Sequence, residues 1–466
     1  MRTTSLILIT VMLAFAAGET QTAAQYKANA GKLIDAALRD EAGLKRLEYL
    51  CYRIGNRPSG SESLDRAISW SAEQMTAAGL DNVRTIPVKV AHWVRGAESA
   101  EMLEPMRKKI YMLGLGGSPS TPKEGIEADV VAVSDFEELR KLGRSGVQGR
   151  IVLFDAPFVS YDQTVQYRSD GPARAEALGA VAALVRSITP RSLRDPHTGA
   201  TGWGASRPKI PCAALSVEDA IWIHHLTASG VRVRVRLRME AHFEPDADSA
   251  DVMGEIAGRE LKSEVVVMGG HIDSWDVGMG AQDDGAGVMA ALEAAALIKQ
   301  LGLHPRRTIR VVFWTDEENG GRGGVAYRDW AHRPGERHIA AIEMDGGAEK
   351  PIGFDLSITP RRPRSSVKSI RGDFNITQPD MFEKARAIAN LLSRIGANQL
   401  LPGNGEADIE PLMAEGVPGF GLRTTMAHYW DYHHTEADTF DKVAPDDFRR
   451  CVAAMAVMSY VLADWP

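Results

Sequence analysis

The sequence predicts an α/β protein: a mixed, mostly parallel sheet with helices on both faces, interrupted by an inserted β-rich domain. Three observations support this fold class. The chain of 466 residues is longer than a usual single domain, which favours a second domain or an insertion. Strand and helix patterns alternate from about residue 260 onwards, as in parallel sheets. Between about residues 110 and 239, short apolar strands replace that alternation.

Residues 1–24 have the pattern of a secretory signal peptide. Arg2 precedes an apolar run from Leu6 to Ala17, and small residues suited to cleavage follow. The run is shorter than the roughly 20 residues that cross a bilayer. We therefore predict an exported chain without a membrane-spanning segment: secreted or periplasmic, or lysosomal or secretory in a eukaryote.

Residues 25–109 are predicted to be the first part of the main domain, and residues 110–245 the insert. Apolar residues recur at three- and four-residue spacing from Ala30 to Leu80, which predicts helices. Pro245 and the polar residues up to Asp251 predict a linker back to the main domain. The insert is predicted to contain one helix, Ala173–Leu178, and the strands Asp129–Val133, Arg150–Phe154, Val181–Val185 and Val231–Leu237.

Residues 246–466 are predicted to complete the main domain with alternating strands and helices. The predicted strands are Glu264–Gly269, Thr308–Trp314, His338–Glu343 and Pro418–Leu422. The predicted helices are Gly287–Leu301, Ala385–Leu392 and Asp447–Ala463.

Composition excludes some classes of function. The formal net charge of -7 gives no electrostatic reason to expect nucleic acid or an anionic membrane as a partner. Cys51, Cys212 and Cys451 are far apart and form no paired thiolate motif, so at most one disulfide is expected and no cysteine metal site.

Metal-binding residue types follow three of the predicted strands. His271 follows the first strand, the pair Glu317 and Glu318 follows the second, and Asp345 follows the third. Open parallel sheets bind ligands at the carboxyl ends of their strands, so these segments should converge. Asp283, in the glycine-rich stretch that opens the next helix, should lie at the same edge.

Imidazole and carboxylate ligands without thiolates favour catalytic zinc. The glycine-rich turn allows Asp283 to approach closely enough to bridge two ions. Asp273, two residues beyond His271, is expected to accept the other imidazole N–H. Of the adjacent Glu317 and Glu318, one can bind metal while the other takes a proton from water.

The remaining ligand is expected between Tyr429 and Thr439, which concentrates histidines and carboxylates. We choose His434 as the ligand. His433 is expected either to assist the oxyanion as a donor or to be a solvated neighbour.

Several stretches together resemble the co-catalytic di-zinc exopeptidase family, which includes bacterial leucyl aminopeptidases and glutamate carboxypeptidases. The matching stretches include those around His271, Asp283, Glu317 and His434, and also Gly403–Ile409. Parts of the insert resemble the protease-associated domain of such enzymes, so the resemblance covers nearly the whole mature chain. By this resemblance, residues 246–466 belong to the catalytic domain.

The resemblance implies two Zn²⁺ per chain. His271 and Asp345 would bind one ion, Glu318 and His434 the other, and Asp283 both. It also implies a cis bond between Asp283 and its neighbour, a homodimer, and Glu317 as general base. The implied function is hydrolysis of dipeptides or short peptides with free termini through a metal-bridged water.

The resemblance leaves three alternatives open. An aminopeptidase would use the same ligands, so the ligands alone do not exclude it. A binding module without metals is disfavoured because all five ligand positions and the base are retained. Acyl transfer in the manner of glutaminyl cyclases, which use one zinc, would be shown by release of pyroglutamyl products.

Overall fold

The structure, a computed structural model, describes residues 21–202, 207–358 and 379–466. Residues 1–20 of the predicted signal peptide lie outside the described residues, so the structure does not test that prediction. Among the helices that are described, none is both long and apolar enough to cross a membrane.

The described elements alternate along the chain much as the sequence predicts. The strands are β1 (Asp81–Val94), β2 (Glu98–Glu104), β3 (Lys108–Ile110), β4 (Met112–Gly114), β5 (Ile126–Val133), β6 (Ile151–Phe154), β7 (Ala182–Arg186), β8 (Cys212–Leu215), β9 (Arg234–Met239), β10 (His242–Ile256), β11 (Leu261–His271), β12 (Arg307–Trp314), β13 (Arg337–Glu343), β14 (Pro351–Ser357), β15 (Gln399–Pro402) and β16 (Gly419–Thr424). The helices are α1 (Lys27–Ala37), α2 (Ala42–Tyr49), α3 (Glu62–Ala77), α4 (Phe136–Val147), α5 (Tyr161–Thr164), α6 (Gln166–Ser169), α7 (Gly171–Ala177), α8 (Val217–Ala228), α9 (Ala286–Gln300), α10 (Arg322–Ala331), α11 (Pro379–Ala389), α12 (Glu410–Met413), α13 (Tyr429–Tyr432) and α14 (Pro445–Asp464).

The main sheet has the strand order β1, β10, β12, β11, β13, β16, β14, β15. The central strands β12, β11, β13 and β16 are parallel neighbours, and β14 is parallel to β15. The pairings β1 with β10, β10 with β12 and β14 with β16 are antiparallel. The predicted mixed, mostly parallel sheet is confirmed.

Helices cover both faces of the main sheet. Val266 and Met268 of β11 pack into one core with α1, α2, α3, α9 and α14, while Val265 and Val267 pack into the other with α10 and α12. Because both faces of the central strands are buried, they are continuous apolar runs in the sequence. Because these central strands are parallel, their carboxyl ends lie at the same edge of the sheet.

A second sheet is formed by the inserted part of the chain, in the order β3, β2, β9, β5, β6, β7, β8, β4. Ala220 and Ile223 of α8 pack on one face, and Leu139 of α4 and Ala175 of α7 pack on the other. The insert therefore contains more helix than expected. Its sheet also begins earlier, at Glu98, than the boundary of residue 110 predicted from the sequence.

The linker predicted at residues 245–251 is wrong, because these residues lie inside β10. Along most of its length β10 pairs with β1, from Asp81 opposite Glu255 to Val94 opposite His242. Pro245 falls at an irregularity in this pairing, where its missing N–H costs no ladder hydrogen bond. The stretch is polar because this half of the ribbon is largely exposed.

Candidate metal centre

The site lies at the carboxyl ends of three neighbouring parallel strands. β11 ends at His271, β12 ends at Trp314 shortly before Glu317 and Glu318, and β13 ends two residues before Asp345. His271 and Trp314 are paired, so β11 and β12 end at the same level. This edge is where open parallel sheets bind ligands.

Asp283 lies between two histidines that are far apart in sequence. Its Oδ1 is 3.2 Å from His271 Nε2, and its Oδ2 is 3.1 Å from His434 Nε2. Each imidazole faces one further carboxylate: His271 Nε2 is 3.3 Å from Asp345 Oδ1, and His434 Nε2 is 3.2 Å from Glu318 Oε2. The structure thus brings the five expected ligands together as two groups that share Asp283.

The electrostatics of this cluster favour a bound cation. Burial raises the pKa of Glu318 to about 8 and the pKa of Asp345 to about 6. Burial disfavours charged imidazoles as well, but the carboxylate of Asp345 raises the pKa of His271 and that of Glu318 raises the pKa of His434. Glu318 and Asp345 therefore hold their protons to a higher pH than usual, and a bound cation would favour their charged forms.

The donors present fit zinc. Glu318 Oε1 is buried and receives no hydrogen bond from any residue that the structure describes, although a buried oxygen normally has a partner. His271, Asp283 and Asp345 present ligand atoms within 4.8 Å of one another. Nitrogen and carboxylate oxygen donors without thiolates are the set found in catalytic zinc sites.

His433 also lies beside this cluster. Its ring stacks on that of His434 with centroids 3.6 Å apart, and its Nε2 is 3.6 Å from Asp283 Oδ2. His434 Nε2 contacts the carboxylates of both Asp283 and Glu318, whereas His433 is close to Asp283 alone. The geometry therefore favours His434 as the ligand, with His433 beside it.

Comparison with known proteins gives the family of the chain. Residues 251–459 match the model of peptidase family M28. Carboxypeptidase Q of Xenopus laevis is 40% identical over 445 residues, or 94% of this chain and 90% of that protein. The chain belongs to peptidase family M28. Carboxypeptidase Q of Homo sapiens is 38% identical over 90% of this chain and 85% of that protein.

Solved structures agree with this membership. A peptidase M28 precursor from Shewanella amazonensis has a TM-score of 0.86 and 31% identity over 95% of this chain and 97% of that one. A zinc aminopeptidase from Bacillus subtilis has a TM-score of 0.64 at 19% identity, over 91% of this chain and 94% of that one, so it shares the fold. The resemblance to zinc exopeptidases is confirmed, and this M28 chain is a zinc-dependent exopeptidase.

In this M28 peptidase, Asp273 makes a different contact from the one expected. Its main-chain oxygen is 3.0 Å from His271 Nδ1, while its Oδ1 is 3.7 Å away. The carboxylate instead accepts the backbone N–H groups of Glu317 at 3.1 Å and Glu318 at 3.3 Å. Asp273 therefore orients the imidazole through its carbonyl and holds the Glu317–Glu318 turn through its carboxylate.

Two further carboxylates hold the Asp283 loop, and the sequence analysis gave neither a role. Asp284 accepts the backbone N–H groups of His271 at 3.1 Å and Gly287 at 2.9 Å, and its bond to Asp283 is cis, as the resemblance implies. Asp438 accepts the backbone N–H of Asp283 at 3.2 Å. Both residues lie inside the stretches that resemble the family, and this resemblance is the one feature of the sequence that could have indicated a role for them.

Arg57 is a support that the sequence analysis missed. It is fully buried and donates from Nε to the carbonyl of Ile272 at 2.6 Å. Nη1 donates to Gly55 at 2.9 Å and Met279 at 2.8 Å, and Nη2 donates to Gly280 at 2.9 Å. Arg57 thus ties the segment after His271 to the segment before Asp283.

The insert reaches the metal centre through Thr198. The Thr198 N–H donates to the carbonyl of His434 at 3.0 Å, and the Thr198 carbonyl is 3.4 Å from His434 Nδ1. The Thr198 hydroxyl donates to the carbonyl of Gly114 at 2.7 Å and accepts from Arg95 Nη2 at 3.3 Å. A residue in the loop between β7 and β8 of the insert therefore supports a histidine of the main-sheet site.

Proposed function

We propose that this M28 peptidase binds two zinc ions per chain. The observation that supports this most strongly is that the two oxygens of Asp283 face two different imidazoles, and each of these imidazoles also lies beside a second carboxylate. His271 and Asp345 would hold one ion, Glu318 and His434 the other, and Asp283 both. Bound zinc would polarise the scissile carbonyl and make the attacking water more acidic.

Elemental analysis of the purified chain tests the metal content. We expect two zinc ions per chain, because the cluster offers two sets of ligands around one shared carboxylate. A content of one ion or less after dialysis in the presence of zinc would reject the proposal and favour a single-zinc enzyme or a metal-free module.

Glu317 is proposed as the general base. Its backbone is anchored to Asp273, and its side chain is half-buried next to the ligand Glu318. Its negative charge contributes to the raised pKa of both Glu318 and Asp345, which supports a role next to the cluster. There it would accept the proton of the attacking water and pass it to the leaving amine.

Glu317→Gln tests this role because it keeps the shape of the side chain and removes the basic oxygen. We expect kcat to fall roughly 100-fold to 10,000-fold, the usual contribution of a general base, with zinc content unchanged. Glu244→Gln on exposed β10 is the control and should retain parental activity. A folded, zinc-loaded Glu317→Gln chain that hydrolyses dipeptides at the parental rate would exclude Glu317 as the base.

The proposed substrates are dipeptides or short peptides with a free carboxyl end. The high identity to carboxypeptidase Q over most of both chains supports this choice. Aminopeptidase action is the second candidate, because zinc aminopeptidases share the fold. A panel of unblocked, N-blocked and C-amidated dipeptides separates them: loss of cleavage on C-amidation supports the proposal, and loss on N-blocking with C-amidated peptides still cleaved supports the alternative.

We also propose that the chain is exported and forms a homodimer. Arg2 and the apolar run that follows it support export, and the dimer follows from the family resemblance. Cell fractionation with a cytoplasmic marker tests the location. Sedimentation of the purified chain tests the dimer, for which a single species of monomer mass would be the contrary result.

A further inference from the structure

Arg168 is a buried cation beside the metal centre that makes no ion pair among the residues the structure describes. It lies on α6 of the insert and is 6% exposed. Its Nη1 donates to the Thr198 carbonyl at 3.1 Å, and its Nη2 donates to the Tyr161 hydroxyl at 2.8 Å. Burying an arginine without a carboxylate costs free energy. Because burial of Arg168 costs stability, we expect this residue to have a role other than stabilising the insert.

The Thr198 carbonyl joins Arg168 to His434. Besides Nη1 of Arg168, it faces His434 Nδ1 at 3.4 Å, and the Thr198 N–H donates to the His434 carbonyl at 3.0 Å. A partner that accepts from Nδ1 selects the tautomer whose Nε2 is free to bind a metal. In this orientation Nε2 faces Asp283 and Glu318.

We propose that Arg168 is a positioning residue that sets the orientation of His434 by holding the Thr198 carbonyl. The inference rests on the proposed function, since it takes His434 as a zinc ligand. Arg168 acts through Thr198 and does not itself contact the ligand cluster. The insert would then complete the metal site and not merely cover it.

The space around Gly199 shows how closely these groups fit. A Cβ on Gly199 would overlap the guanidinium of Arg168 and would lie 2.8 Å from His434 Nδ1. The φ of Gly199, 128°, also favours glycine. The two side chains therefore both pack against the backbone at Gly199, where a larger residue would displace them.

Tyr161 provides a second connection to the same loop. Its hydroxyl accepts from Arg168, and its ring stacks on Trp430 with centroids 4.4 Å apart. The same ring makes a T-shaped contact with the ring of His433, with centroids 5.2 Å apart. A displaced Arg168 would therefore disturb both the Thr198 carbonyl and the aromatic packing around the His433–His434 pair.

The test compares zinc affinity, by chelator competition, with kcat and KM on an unblocked dipeptide and with the urea unfolding midpoint. For Arg168→Gln we expect zinc binding weakened roughly 10-fold to 100-fold, the usual cost of losing a support of a metal ligand. kcat should fall with little change in KM, because the substrate contacts remain. Arg168→Lys should recover part of the affinity. Arg174→Gln, on the exposed face of the adjacent α7, is the matched control and should match the parent.

Parental zinc affinity and kcat in folded Arg168→Gln would overturn the inference, as would a lower unfolding midpoint with parental zinc affinity. If Arg168→Gln does not fold, the zinc affinity of Tyr161→Phe tests the inference instead. This variant keeps the ring and removes the hydroxyl that Arg168 contacts, so a loss of zinc affinity of about threefold or more is expected, and parental affinity overturns the inference. His434→Ala separates the two proposals: if it binds two zinc ions as tightly as the parent, the proposed metal site itself fails.

Discussion

At the residue scale, the segments that carry the proposed metal ligands are supported mainly by contacts to the main chain. Asp273, Asp284 and Asp438 each accept backbone N–H groups from the segments that carry the ligands. Arg57 donates to four carbonyls of the same region. Such contacts fix the path of the loops that carry the proposed ligands.

Replacing Arg57 should show how much of this rigidity one side chain supplies. Each buried carbonyl left without a donor costs about 1–3 kcal/mol. We therefore expect Arg57→Ala to lower the free energy of unfolding by more than about 3 kcal/mol, measured by urea denaturation. Arg53→Ala, at an exposed position nearby, should change it by less than about 0.5 kcal/mol. Equal effects of the two changes would contradict this account of Arg57.

The sequence could predict the proposed ligands and one of their supports, Asp273, but not the supports Arg57, Asp284 and Asp438. His271, Glu318 and Asp345 have unusual residue types at the ends of apolar strands, which is a local signal. Arg57 follows a glycine and an asparagine and precedes a proline, a pattern that is typical of a solvated turn. Three of its four partners are main-chain carbonyls more than 200 positions away, and any residue type would supply them.

At the element scale, strands with two buried faces were predictable and solvated ribbons were not. β11 and β12 are continuous apolar runs because helices cover both their faces. β10 is polar and contains Pro245, since half of it forms an exposed ribbon with β1. Its pairing with β1 depends on residues about 160 positions earlier, so the local sequence pattern of β10 could not predict it.

The packing of α2 against α9 contains a buried carboxylate, Glu293, that makes an ion pair with Arg46. Burial, and then the charge of Asp40, raises the pKa of Glu293 from 4.5 to about 7. Between these pH values the folded chain keeps a proton that the unfolded chain releases, so the free energy of unfolding falls as pH rises. At about 1.4 kcal/mol per pKa unit, the loss is on the order of 3 kcal/mol by pH 8.

Urea unfolding at pH 5 and pH 8 measures this effect. Glu293→Gln lacks the titrating group, so it should lose less stability than the parent between the two pH values. Glu48→Gln, at an exposed position on α2, should follow the parent. A Glu293→Gln chain with the same pH dependence as the parent would show that Glu293 is not the group responsible.

At the scale of the whole molecule, the proposed metal centre is a place where a loop of the insert contacts the main domain. His271 ends β11, Glu318 and Asp345 follow strands of the main sheet, and Asp283 precedes α9. The backbone of His434, by contrast, is bonded to Thr198 of the insert. Zinc that binds only the folded chain stabilises it, by about 4 kcal/mol when free zinc is 1,000 times the Kd. Bound zinc should therefore also stabilise the part of the insert around Thr198, because His434 cannot move without breaking its hydrogen bond to Thr198.

Removing zinc with a chelator should therefore loosen one identifiable segment of the insert. The Thr198 amide donates to the His434 carbonyl, so its hydrogen exchange should accelerate on zinc removal as the His434 loop is released. The Val130 amide, which bonds to Val233 inside the second sheet, is the internal control and should keep its protection. Acceleration at both amides would mean that zinc stabilises the whole insert. Unchanged protection at Thr198, with zinc shown to be absent, would mean that the insert is independent of the metal, since the bond to His434 would then persist without the ion.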